Sequence, residues 1–164
     1  MSSTMSTAVL WLFVMNLGIA LGAGLYEHRI VVSRWISAGE SGAHWNAEAA
    51  RQDDTGRRFW AFVTTLPLTL LTLANLLAAW RSSGAVRAWW MAAALAAFAD
   101  RAFTFSYFIP TMVGLMRAPD SPVAAAAAIR WAHFNYVRHA IVVAAWLASL
   151  RAFALLAQAA HGTR

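Results

Sequence analysis

The stretch "FNYVRHAIVV", residues 134 to 143, places Asn135, Arg138 and His139 inside an otherwise apolar run. "YEHR" adds Glu27 and His28, and "FADRAFTFSYF" adds Asp100, Arg101, Thr104 and Tyr107. Carboxylates and imidazoles can take a proton from carbon or oxygen. A guanidinium, amides and hydroxyls can hold the negative charge that such a step creates. There is no cysteine, which excludes thiolate nucleophiles, disulfides, Fe–S clusters and a thiol-based quinone reductase.

An arginine at membrane depth costs about 2.5–3.5 kcal/mol on insertion scales, so these groups need elements that shelter and pair them. Of the 164 residues, 60% are apolar and 12% charged, against about 25% charged in ordinary soluble domains. A globule this small cannot hide so much apolar surface from water, so a bilayer must cover much of it. The formal charge of +6 comes from arginines clustered at the ends of apolar runs. That placement fits headgroup anchoring rather than nucleic acid.

Four runs are long enough to cross hydrocarbon, at about 7–26, 59–80, 88–109 and 132–153. The first lacks a preceding positive charge and exceeds a signal-peptide core, so it is read as an uncleaved helix. The expected fold is all-α: an integral membrane four-helix bundle forming a single domain. Both termini lie on one side, and a long loop joins helices 1 and 2. That loop is expected to hold a short interfacial helix around "AHWNAEAARQ". The pattern from Pro122 onward exceeds one crossing and should project from the bilayer or break near Arg130. Trp80, Arg81, Arg87, Trp89 and Trp90 read as interface markers. More arginines flank the two longer loops than the termini, which puts the loop face in the cytoplasm. The expected location is a multi-pass protein of a bacterial inner (cytoplasmic) membrane.

Helical spacing gives each span one polar stripe. These are Asn16–Ala20–Ala23–Glu27, Thr64–Leu68–Thr72–Asn75, Asp100–Thr104–Tyr107–Thr111, and Trp131–Asn135–Arg138–Val142, with His139 at the edge of the last. Because helix direction alternates, the polar groups concentrate in the loop-face half, as around a pocket open toward the loops. Asp100 and Glu27 are the acids available to partner Arg138. Arg101 points about 100° away from Asp100 on a helical wheel and is expected to snorkel or to meet a loop acid. His133 reads as interfacial, and His44 and His161 carry no case. Gly18 and Gly22 read as a close helix contact. The plain alternative for Arg138 and Asp100 is a buried ion pair that sets helix register.

"NLGIALGAGLY" on the first span, "RAFTFSYFIPT" on the third and "RWAHFNYVRHAIVVAAWLASL" on the fourth resemble a family of small four-span membrane proteins that includes the anthrone oxygenases, a domain of unknown function. Where that family often carries Asn after the Pro-Thr, Met112 stands here. The resemblance implies an oxygenase-like enzyme that inserts oxygen into an electron-rich aromatic methylene to give a quinone. Glu27, Asp100 or His139 would be the base, and Arg138, Asn135 and Tyr107 would hold the oxyanion. Thr64, Thr104 and Trp131 would complete a pocket for a small hydrophobic aromatic or quinone-like ligand arriving through membrane lipid. No cofactor is required by that scheme.

Two other classes stay open. Glu27, His28, Asp100 and His139 are metal-type ligands, which keeps an iron, copper or haem site in view. A non-enzymatic lipid- or quinone-binding protein, a homo-oligomer or an accessory subunit of a membrane complex would use the same polar cluster structurally. No inverted repeat supports transport.

Overall fold

The computed structural model describes residues 3–40 and 42–161 and is mostly helical. Helix α1 (3–35) is α-helical over Ser3–Tyr26, π-helical over Glu27–Val31 and α-helical again over Val32–Trp35. A hairpin follows, β1 (Ile36–Gly39) and β2 (Gly42–Trp45), paired antiparallel with Ile36 opposite Trp45. Gly42 sits at φ 119°, a conformation that the turn requires and that glycine adopts without a Cβ penalty. Next comes α2 (Ala47–Asp53), whose start is capped by the Asn46 side chain accepting from the Ala49 N–H at 2.9 Å. Helix α3 (56–80) opens with ten π-helical residues, Gly56–Thr65, and becomes α-helical over Leu66–Trp80. Helix α4 (84–117) carries a π segment at Thr104–Phe108. Helix α5 (Pro122–His161) is one unbroken helix of 40 residues.

Three of these helices are long and apolar enough to cross a membrane: Thr4–Trp35, Gly56–Trp80 and Pro122–Ala159. Helix α4 is comparable in length, but Asp100 and Arg101 lie within it and dilute its apolar character. The four long helices pack in a ring, α1 beside α3, α3 beside α4, α4 beside α5 and α5 beside α1. Their outward faces are apolar, with Trp11, Leu12, Phe62, Leu70, Leu77, Leu95, Phe98 and Leu147 all exposed. A water-soluble protein would not leave so much apolar surface uncovered.

Several sequence expectations need correction. The chain is not purely α-helical, because the long loop contains the hairpin as well as the expected short helix. Helix α1 runs to Trp35 instead of ending at Tyr26, and α4 runs to Arg117 instead of Ile109. In α1 backbone hydrogen bonding continues through Glu27, His28 and Arg29, which are too polar to read as a span, and in α4 it continues past Pro110, which sits in the first turn after the π segment. Helix α5 does not break near Arg130. At 1.5 Å per residue it is roughly 60 Å long, about twice the hydrocarbon thickness, so it extends well past one crossing. Trp90 is not an interface marker: it is buried and donates from Nε1 to Asn75 Oδ1 at 2.7 Å, joining α4 to α3.

The core is in two parts. Leu10, Phe13, Leu17, Leu68, Trp90, Ala93, Val142 and Ala145 fill the terminal-face half. At the loop face, Val32, Trp35, Trp45, Ala50, Phe108, Leu115, Ala125 and Trp131 pack the hairpin and α2 onto the ends of α4 and α5. Together the hairpin and α2 form a roof, tied down by polar contacts. Trp45 Nε1 donates to the Leu115 carbonyl at 2.8 Å, Arg51 to the Met116 carbonyl, and Trp35 Nε1 to Asp53 at 2.8 Å.

Asp120 is the latch of this roof. It accepts from the Trp45 backbone N–H at 2.9 Å and lies 3.0 Å from His44 Nδ1. The Trp45 N–H, followed by the His44 side chain, holds the Asp120 carboxyl below its ordinary range. A depressed acid contributes its stabilisation fully above its unfolded pKa of about 3.9 and loses it as pH falls through the lower folded value. Exchange protection of the Trp45 amide, corrected for intrinsic rate, should therefore hold at neutral pH and fall as the solution is acidified below about pH 4. In Asp120→Asn that acid dependence should vanish. Equal pH profiles for the two proteins would show that the carboxylate does not latch the roof.

Candidate functional site

Between the two apolar cores lies a polar layer built from all four long helices. Thr64, Asp100, Arg101, Thr104 and Asn135 are buried in it, with Glu27 and Arg138 at its edge. At this layer α1, α3 and α4 each turn π-helical. A π segment leaves backbone bonds longer and side chains re-aimed, and such segments in α-helices are frequently found at functional sites.

Asp100 is fully buried and accepts from two guanidinium groups. Arg101 folds back onto Oδ2 through both Nε and Nη2, and Arg138 Nε donates to Oδ1 at 3.3 Å. Arg101 therefore neither snorkels nor meets a loop acid. Its Cα lies on the neighbouring face, but the side chain is long enough to return. Arg138 is held further by Nη1 donating to Asn135 Oδ1 at 3.3 Å, while Asn135 Nδ2 donates to the Trp131 carbonyl at 3.1 Å. The guanidinium also lies over the Phe108 ring, 4.6 Å from its centroid. Nη2 of Arg138 makes no hydrogen bond among the described residues.

Glu27 is fixed from the roof side. Its Oε1 accepts from Trp60 Nε1 at 2.8 Å and from the Thr55 hydroxyl. Both bonds fall on one oxygen, so Oε2 has no donor among the described residues. Two acids and two arginines thus occupy the layer, and their formal charges cancel.

Glu27 and Arg138 open onto a cavity of about 400 Å³ under the roof, between α3 and α4. Most of its wall is apolar and aromatic, with Trp60, Phe108, Ile109, Met112, Val113, Met116 and Trp131 around it and Trp35 and Ala50 above, while Asp54, Thr55, Gly56 and Arg57 form a polar rim at its loop-face end. That volume lies in the range typical of small-molecule pockets, which pair apolar walls with a few placed polar groups. Comparison with family models, with curated proteins and with solved structures finds no match. The chemistry of this pocket must be argued from its own residues.

Of the residues singled out from sequence, Glu27, Arg138, Thr104 and Trp131 line the cavity. Asp100 and Asn135 lie behind them and hold Arg138. Thr64 is buried beside the cavity and spends its hydroxyl on the Trp60 carbonyl at 3.3 Å. Tyr107 lies outside it, in an aromatic stack with Phe103, Phe108 and Phe134. His139 also lies outside, against α1. Gly24 makes that approach fit, since a Cβ there would stand 2.8 Å from His139 Nε2. Gly24, rather than the pair Gly18 and Gly22, thus provides the close contact, because a Cβ on Gly22 would meet nothing within 4 Å. His28 and His139 meet edge to face with centroids 5.9 Å apart, and each keeps a buried Nδ1 without a partner. Among the described residues no three His, Asp or Glu side chains converge as a metal-ligand set.

Sequence reasoning missed Trp35, Thr55, Trp60, Phe108, Met112 and Met116 as cavity residues. Trp60 lies four residues before Thr64, on the same helix face, and that spacing was the available signal. The others carry no pattern that distinguishes them from ordinary core.

A second, open groove of about 570 Å³ lies outside the bundle beneath the hairpin, lined by His44, Asn46, Glu48, Arg51, Arg117 and Asp120. The Arg51–Glu48 and His44–Asp120 pairs already occupy much of its polar surface.

Proposed function

We propose that the chain is a four-span membrane bundle of a bacterial inner membrane, and that its cavity is the active site of an oxygenase-like enzyme. The substrate class is a small, flat, hydrophobic aromatic with an acidic methylene, as in an anthrone, and the co-substrate is O₂. The observation that carries this reading is a glutamate and an arginine that both line a mainly apolar cavity, one with a carboxylate oxygen and the other with a guanidinium nitrogen that make no hydrogen bond among the described residues.

In the proposed reaction Glu27 removes one methylene proton while Arg138 stabilises the enolate oxygen. The carbon's electron pair reduces O₂ as a C–O bond forms, and the resulting peroxide takes up the proton. Loss of the second C–H proton with cleavage of the O–O bond then leaves a carbonyl and water. The balance is R₂CH₂ + O₂ → R₂CO + H₂O. Asp100 and Asn135 position Arg138 and take no part in proton removal.

The test is oxygen consumption by the purified protein in nanodiscs supplied with a hydroxyanthrone. One O₂ should disappear per quinone formed, above the rate in empty nanodiscs. Binding of the anthrone with no protein-dependent uptake would reduce the protein to a binding module. A second reading, a metal-dependent redox site, is supported by the two unpartnered Nδ1 atoms of His28 and His139. About one iron or copper per chain, lost in His139→Ala, would put it in front.

A further inference from the structure

We propose that this cavity loads sideways from the bilayer, through a portal between the loop-face halves of α3 and α4. The inference rests on the cavity as a ligand site but not on the reaction assigned to it.

Three observations carry it. First, Leu66–Trp80 packs along Gly84–Phe103, but no packed interface joins Gly56–Thr65 to Thr104–Phe108 or Ile109–Arg117. The cavity fills the space where the two helices separate. Second, Ile109 and Val113 line the cavity and are nevertheless 41% and 37% exposed, so they are not sealed in by a neighbouring helix. They form one lip, and the small side chains of Ala61 and Thr65 form the other. Third, the loop-face end is roofed. Trp35 and Ala50 cover the cavity, and the roof is anchored to α4 by Arg51 on Met116 and by Trp45 on Leu115. Beside that cover the loop-face end keeps a polar rim of Asp54, Thr55, Gly56 and Arg57, whereas the lateral side, between α3 and α4, has neither a cover nor a packed contact across it.

A lip of Ile109, Val113, Ala61 and Thr65 carries no charge to hold an ionic solute, whereas Glu27 and Arg138 supply charges within the cavity. The ligand that fits this path is a planar apolar body carrying one acidic or oxyanionic group. It would dissolve in lipid first and turn its polar edge inward second. The π-helical start of α3 belongs to the same device. Its wider turns set Trp60 onto Glu27 while Ala61 remains at the lip.

The chain's lack of cysteine permits a direct test. V113C protein in nanodiscs is treated with a bulky methanethiosulfonate reagent. Binding of 9-anthracenecarboxylate is then followed by stopped-flow energy transfer from tryptophan. The modified lip should slow association at least tenfold, and reduction of the mixed disulfide should restore it. The same reagent on F62C, a highly exposed position outside the cavity lining, should leave the rate unchanged. A block at T55C on the roof side with none at V113C would overturn the portal, and so would absence of probe binding to the unmodified protein. Loss of oxygen uptake with lip-gated binding intact would remove the reaction and keep the portal.

Discussion

Replacing Asp100 by alanine is expected to be the most destabilising single change in the molecule. Asp100 is fully buried and is the shared acceptor for Arg101 and Arg138, which are themselves 5% and 18% exposed at the side chain. Removing it leaves two guanidinium groups in a low-dielectric layer with Glu27 as the remaining acid and no ion pair to it. Removing one partner of a buried ion pair costs about 3–5 kcal/mol. That is a large part of the stability of a typical domain, so Asp100→Ala should shift the denaturation midpoint in mixed micelles strongly or fail to accumulate. The control is a triple replacement, Asp100→Leu, Arg101→Met and Arg138→Met, which removes the three charges of the ion cluster together and leaves Glu27 with its Trp60 and Thr55 donors. It should fold better than the single variant, because buried ion clusters exchanged for apolar groups of similar volume are often neutral or stabilising. An Asp100→Ala protein as stable as the parent would mean that the arginines find other partners and that the cluster does not hold the helices in register.

This layer also shows where the sequence was legible. Of the four apolar runs, three lie in helices long and apolar enough to cross a membrane, and the stripe Thr64, Leu68, Thr72 and Asn75 that helical period predicts is buried. That Arg138 needs an acid partner followed from cost, which left Asp100 and Glu27 as candidates, and the structure pairs it with Asp100. Helix ends were harder, because hydropathy stops at Tyr26 while backbone hydrogen bonding runs on through Glu27, His28 and Arg29. The hairpin hides in "ISAGESGAHW", where strands of four residues are too short to show a period.

Tyr107 illustrates a different limit. A π segment adds one residue to the turn, which rotates everything after it by about 100° relative to an ideal helix. The segment at Thr104–Phe108 falls on the stretch where Tyr107 was expected to face inward. Phe108 lines the cavity instead, and Tyr107 joins the aromatic stack beside it. No single-sequence signal marks a π segment. The same shift within Gly56–Thr65 places Trp60 on Glu27, and within Glu27–Val31 it carries α1 on to the roof. The site's outline came from residue types, but its lining depends on these three local departures from the 3.6-residue period.

Glu27→Gln should then separate fold from chemistry. The amide is nearly isosteric, and its carbonyl can still accept from Trp60 and Thr55, so the contact with the start of α3 and the cavity shape should survive. What is lost is the ability to take a proton. A positioned general base contributes about 10²–10⁴-fold. Anthrone-dependent oxygen uptake should fall by that factor, while 9-anthracenecarboxylate binding changes by no more than a few-fold. The alternatives for the base are narrowed by position: Asp100 is fully engaged by two arginines, and His139 lies outside the cavity against Gly24. A glutamine variant that keeps most of its turnover would therefore remove the base-assisted scheme as a whole. If turnover instead fell together with binding and with the denaturation midpoint, Glu27 would be a structural tie between α1 and the start of α3. Arg138→Gln discriminates further. Loss of the oxyanion donor should lower turnover by about 10²–10³-fold, and it also breaks the contact with Asp100, so stability should fall with it. Glu27→Gln should cost activity alone, and that contrast distinguishes a reacting carboxylate from one that merely balances charge.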